Sequence, residues 1–176
     1  QIKKIDKVTQ LYLSIDAPNK EIMKKIDRHL FSDFWERMLE CLDLLKTRDY
    51  RTCIRLTMIK NENMRDVKGY AELIRRGNPD FIELKSYVWV GASQNFYKVE
   101  NMPYMEDLEN FMKELLKELP EYEYLRQHIP SRAILLIKKS LNKKSWINFP
   151  KFMKLVESGR EFTAEDYCSE IMMSNE

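Results

Sequence analysis

The chain has 176 residues, enough for one domain with a sizeable core. An apolar share of 44% and a charged share of 33% exclude a disordered tail or a fibre, and a net charge of +2 excludes a protein that grips nucleic acid by its overall field. No apolar run approaches the roughly 20 residues that cross a bilayer, so no membrane partner is expected and the expected address is cytoplasmic.

The opening residues, Gln1-Ile2-Lys3-Lys4-Ile5-Asp6, carry no signal-peptide pattern and run almost directly into a strand, as expected where a sequence starts partway through a larger protein. Cys41, Cys53 and Cys168 are an odd number at unrelated spacings. They read as reduced thiols and not as a disulfide framework or a metal site.

In chain order, residues 8–17 are rich in β-branched, aromatic and aliphatic side chains and end at Pro18-Asn19, which predicts a buried strand. From 32 to 46, Phe34, Trp35, Met38, Leu42 and Leu45 recur at helical steps. A second strand follows over 51–60, then a helix in which Val67, Tyr70, Ala71 and Ile74 line up before Gly77 stops it. The third strand runs from Phe81 to Lys85 and gives way to a polar loop reaching Pro103, long enough to suggest function. Leu108, Phe111, Met112, Leu115 and Leu119 mark a helix over 104–119, and after a short connection residues 133–137 form a last strand. Thr163-Ala164-Glu165-Asp166 opens a short final helix through a capping box. Strands alternating with helices predict an α/β fold with a parallel sheet, whose chemistry belongs at the carboxyl ends of the strands.

Ser14 and Asp16 share one face at the end of the first strand, a hydroxyl and a carboxylate suited to a ribose or an amino group. The alternative is that Ser14 bonds backbone and Asp16 caps the next helix. Arg55 and Thr57 point where a central strand expects apolar residues. A guanidinium there needs an anion: Asp16, Glu83, or a ligand carboxylate or phosphate. Glu83 and Lys85 repeat the arrangement and Lys60 lies just past the second strand, so charges converge on one end; a solvated ion-pair network is the plainer reading. With only His29 and His128, and neither a glycine-rich phosphate loop nor a nucleophile elbow, P-loop and serine-hydrolase chemistry are excluded. Between 130 and 160 eight basic residues oppose Glu157 alone. Trp146, Phe149 and Phe152 interleave there and either stack on single-stranded RNA or fill a core.

The segments from Leu11 to Pro18, Lys25 to Arg28, Phe34 to Arg37, Arg55 to Lys60, Gly77 to Lys85 with Val90 to Ser93, and Asn101 to Pro103 resemble, in order and spacing, the radical SAM tRNA wybutosine-synthesising enzymes, the 4-demethylwyosine synthases. The likeness runs from about Thr9 to Tyr167. It implies the C-terminal half of a partial (β/α)6 radical SAM barrel over 1–140 and a basic, aromatic extension over 141–176. The family's reaction condenses pyruvate carbon with N1-methylguanosine at position 37 of tRNA(Phe), using S-adenosylmethionine and a 4Fe-4S cluster held by a C-x3-C-x2-C triplet. It also needs an electron donor such as a flavodoxin-like domain or protein.

That triplet does not occur here, so the fragment alone is expected to be inactive while the whole protein is a radical SAM lyase. By position, Ser14, Asp16, Arg55 and Thr57 are expected at the cofactor, Lys60, Glu83, Lys85, Ser93 and Asn95 at substrate, and Arg132, Lys138, Lys139, Lys143, Lys144 and Trp146 on RNA. The lysine that forms a Schiff base with pyruvate is expected upstream. The sequence departs from the family at Tyr104-Met105-Glu106, where a histidine is usual, at His29, where proline is usual, and at Arg126-Gln127-His128, which replaces an acidic pair. These departures leave a second reading, a catalytically inactive tRNA-binding module derived from the same fold.

Overall fold

The computed structural model describes residues 7–170, and the opening residues Gln1 to Asp6 lie outside them. Strand β1 (Gln10–Ile15) is followed by helices α1 (Lys20–Ile26) and α2 (Phe34–Leu45), β2 (Arg51–Met58), α3 (Val67–Gly77), β3 (Phe81–Ser86), α4 (Met105–Glu118) and the strands β4 (Tyr122–His128) and β5 (Ala133–Lys138). The sheet order is β1-β2-β3-β5-β4.

Strands β1, β2 and β3 are parallel, as the alternation with helices predicts. The last predicted strand differs. Residues 133–137 do pair with β3, but antiparallel, because the supposed short connection contains β4, which turns back into β5 as a hairpin. Helix α4 carries the chain past the sheet edge to β4, and β5 then fills the gap beside β3 in the reverse direction.

One face of the sheet holds the core. Ile15, Ile54, Leu56, Met58, Ile82, Leu84, Ile134 and Leu136 pack against Leu42 and Leu45 of α2, Tyr70 and Ile74 of α3, and Phe111 and Leu115 of α4. Each large side chain buried this way stabilises by about 1.5–3 kcal/mol before entropy is counted. Gly77 is in the last turn of α3 and does not stop it; the left-handed residue is Asn78, at φ 47°. A Cβ on Gly77 would lie 2.7 Å from Leu42 Cδ2 and 3.1 Å from Ile54 Cδ1, so glycine serves close packing of α3 on α2 and β2.

The opposite face is layered. At its lower end, where the parallel strands begin, Cys53, Phe81 and Ile137 form a small apolar cluster joined by Leu141. Residues 146–169 wrap this end: β6 (Trp146–Ile147), α5 (Phe149–Ser158), α6 (Ala164–Tyr167) and β7 (Cys168–Ser169) surround Phe152, Phe162 and Tyr167, whose rings meet edge to face. The Tyr167 hydroxyl accepts from the Arg51 backbone N–H at 3.1 Å and donates to the Thr9 carbonyl at 2.9 Å, bridging the starts of β2 and β1. The predicted capping box opens α6, with the Asp166 carboxylate accepting from the Thr163 N–H at 2.8 Å.

Candidate functional site

At the upper end of the open face, the carboxyl ends of β1, β2 and β3 place polar residues in register. Ser14 pairs with Arg55, and Arg55 with Glu83; one step further, Thr57 pairs with Lys85. Strand alternation puts all of them on the face away from the helices. Arg55 and Glu83 form a bidentate ion pair, with Nε and Nη2 donating to Oε2 at 3.1 and 3.0 Å. The anion that Arg55 requires is therefore Glu83. Arg55 also lies 5.2 Å from the ring centroid of Tyr12.

Asp16 does not cap α1; Asn19 does, accepting from the Ile22 N–H at 3.0 Å. The Asp16 Oδ1 is buried without a hydrogen-bond partner. Burial pushes the Asp16 carboxyl above its usual range, partly offset by hydrogen bonds from Thr57. Asp27, just past α1, is pushed up to about 6 by burial first and by the charge of Asp16 second. This corner is held by Asn63, fully buried in the turn after β2. Its Nδ2 donates to the carbonyls of Asp16 and Thr57, each at 2.7 Å, and its Oδ1 accepts from the Ile59 N–H at 2.6 Å. Asn63 was missed in the sequence, where Asn61-Glu62-Asn63 reads as ordinary turn chemistry.

The remaining expected residues divide. Lys85 donates to the Ser131 carbonyl at the β4–β5 turn. Lys60 leaves the row and pairs with Asp107 of α4 at 2.8 Å. Ser93, in a 3-10 turn (Gly91–Asn95), accepts from the Tyr87 hydroxyl at 2.8 Å and donates to the Val90 carbonyl, and Asn95 is exposed beside it.

The six residues expected on RNA do not form one surface. Arg132 is at the upper end, donating to the Pro103 carbonyl at 3.3 Å. Lys138 is at the lower end, bonded to Asn78, and Lys139, Lys143, Lys144 and Trp146 follow it there, because β5 runs downward. Of the interleaved aromatics, Phe152 is core, while Trp146 and Phe149 are exposed.

The three cysteines stand on α2, β2 and β7, and among the described residues no group of three His, Cys, Asp or Glu side chains converges to hold a metal ion. The residues present do not fit an iron-sulfur cluster. They do fit a ribose or amino group, since an exposed Ser14 hydroxyl and an unpartnered Asp16 oxygen lie at one strand end.

Parallel strands with helices on one face and a row of in-register charges on the other define half of an α/β barrel with its mouth at the strands' carboxyl ends. The family model for wyosine base formation matches residues 76–138. The S-adenosyl-L-methionine-dependent tRNA 4-demethylwyosine synthase of Saccharomyces cerevisiae is 43% identical over 94% of this chain and 22% of its own length. That of Oryza sativa subsp. japonica is 42% identical over 96% of this chain and 27% of its own. Among solved structures, "Structure of TYW1 with a lysine-pyruvate adduct bound" matches with a TM-score of 0.69 at 34% identity, covering 79% of this chain and 43% of that one. "Crystal structure of archaeal TYW1" gives 0.62 and 32%, covering 79% and 42%. The chain is similar over nearly its whole length to the tRNA 4-demethylwyosine synthases, and it spans about a quarter of the length of the curated relatives it matches.

Proposed function

We propose that this chain is the C-terminal half of the barrel of a radical SAM 4-demethylwyosine synthase, a cytoplasmic lyase that condenses pyruvate carbon with N1-methylguanosine-37 of tRNA(Phe). The observation that carries this reading is the in-register row Ser14, Arg55, Glu83 at the barrel mouth of a chain 43% identical to an S-adenosyl-L-methionine-dependent tRNA 4-demethylwyosine synthase. Residues 1–140 are the half barrel in this reading, and 141–176 the extension that closes its lower end.

Ser14 and Asp16 hold the ribose or methionyl part of S-adenosylmethionine, flanked by Thr57 and by Arg55, whose charge Glu83 fixes in place. Bound S-adenosylmethionine supplies radical chemistry, and the cluster ligands, the Schiff-base lysine and the link to an electron donor belong to residues outside this chain. Lys60, Glu83, Lys85, Ser93 and Asn95 belong to the substrate side. Lys60 is paired with a carboxylate and Lys85 is bonded to a carbonyl, which supports leaving the pyruvate adduct to another lysine. Arg132 meets RNA at the mouth; Lys138, Lys139, Lys143, Lys144 and Trp146, at the opposite end, meet a different part of the same molecule.

The intact protein, reduced under anaerobic conditions with S-adenosylmethionine, pyruvate and tRNA(Phe) carrying N1-methylguanosine, should yield 4-demethylwyosine by nucleoside mass spectrometry, and residues 1–176 alone should yield none. Absence of product from the intact, cluster-loaded protein would overturn the proposal and favour the inactive tRNA-binding module.

A further inference from the structure

We infer that the rim formed by the 87–104 segment and the β4–β5 hairpin is a docking surface for a single-stranded loop of RNA, with Tyr104 as its stacking platform. The inference rests on the tRNA reading above and adds where the loop sits and which side chains receive it.

The rim carries large side chains that the fold does not use. Tyr104 is 67% exposed, Phe96 57% and Ile129 63%. Two of these rings lie beside cations: Tyr104 has Arg132 5.3 Å and Lys60 5.9 Å from its centroid, and Phe96 has Arg28 at 4.0 Å. Trp89 closes the row, its indole N–H fixed on the Tyr97 carbonyl at 2.8 Å. An exposed ring flanked by guanidinium groups suits an unstacked base whose phosphates lie within reach of the cations.

The charge at the rim is uncompensated. Arg55, Lys60 and Lys25 are neutralised by Glu83, Asp107 and Glu62. Arg28, Lys85, Arg126 and Arg132 form no ion pair in the described structure; Lys85 and Arg132 donate to the carbonyls of Ser131 and Pro103, and Arg126 to the Ser145 hydroxyl at 3.0 Å. Two cations without an ion pair beside exposed aromatic rings, Arg28 at Phe96 and Arg132 at Tyr104, call for a polyanion, and the rings select one with accessible bases over a duplex.

The position fits the chemistry. The Pro103 carbonyl accepts from the Ser86 hydroxyl, at the end of β3, and from Arg132, so Tyr104 adjoins the ends of β3 and β5. The basic extension is at the far end of the sheet and cannot serve this loop.

The test is fluorescence anisotropy on the intact protein with a labelled RNA hairpin bearing a single-stranded loop, and with a blunt RNA duplex of equal length. Tyr104→Ala should weaken hairpin binding about tenfold, as expected for one lost stacking partner, whereas Tyr104→Phe should retain it. Arg132→Gln should weaken binding and lower the salt slope by about one, with Arg132→Lys partly restoring both. Lys151→Gln combined with Lys154→Gln, on the exposed face of α5, should leave hairpin affinity unchanged, and matched melting temperatures should show that each variant folds. Wild-type affinity in both Tyr104→Ala and Arg132→Gln would overturn the rim while leaving the tRNA reading intact, as would loss confined to the extension variant. Equal binding of hairpin and duplex would overturn the single-stranded assignment. A wild-type protein that binds neither RNA at low salt would overturn this inference and the tRNA reading together.

Discussion

Arg55 and Glu83 face each other in register on adjacent parallel strands, and their ion pair sits on a face that a packed sheet would fill with apolar side chains. The Glu83 side chain is 14% exposed and that of Arg55 41%, so the carboxylate depends on its partner more than the guanidinium does. In the intact protein, Arg55→Met should cost about 1–3 kcal/mol in urea denaturation, because a half-buried carboxylate loses its charge-assisted bonds. The double variant Arg55→Met with Glu83→Leu should recover part of that loss. No recovery would mean that the cost lies in packing on Tyr12 and not in charge.

Asn63 spends its whole amide on three backbone groups. Asn63→Ala leaves the carbonyls of Asp16 and Thr57 and the Ile59 N–H unpaired, for an expected loss of at least about 2 kcal/mol. Because these carbonyls fix the ends of β1 and β2, affinity for S-adenosylmethionine, read by calorimetry, should fall as well. A variant that loses stability but binds the cofactor normally would separate the staple from the site.

Asp27 sets a pH dependence. Its folded-state pKa of about 6 lies above the roughly 3.9 of an unfolded aspartate. The folded protein therefore binds the extra proton between about pH 4 and pH 6. Stability from this group is present below that window and is lost as pH rises through it; the raised pKa of Asp16 adds in the same direction. Asp27→Asn should flatten the slope of melting temperature against pH over this range, and an unchanged slope would assign it to other groups.

Cys53 is fully buried, and burial pushes its thiol up to about 12, with the charge of Glu83 adding to the rise. Alkylation of the native protein near neutral pH, followed by mass spectrometry, should leave Cys53 unmodified after Cys41, which is partly exposed, has reacted. Early labelling of Cys53 would mean that the extension does not close the lower end.

Tyr167→Phe removes one hydroxyl and strands both the Arg51 N–H and the Thr9 carbonyl. It should cost about 1–3 kcal/mol without changing product formation, since this bridge is at the far end of the sheet from the mouth.

The sequence by itself determined the elements whose periodicity is strong: β1, β2, β3, α2, α3, α4 and the final capping box, and with them the α/β class and the end of the sheet where charges gather. Apolar spacing encodes which face an element buries, and strand alternation therefore sufficed to group Ser14, Arg55, Glu83 and Lys85. Strand β4 escaped notice because Tyr124, Arg126, Gln127 and His128 are exposed at the sheet's edge and leave no apolar pattern. Only the tertiary structure decided the antiparallel direction of β5, the pairing of Lys60 with Asp107, and the separation of Arg132 from Lys138 across the height of the sheet. These depend on how segments distant in sequence meet, and a run of basic residues along a chain carries no information about which end of a strand each one reaches.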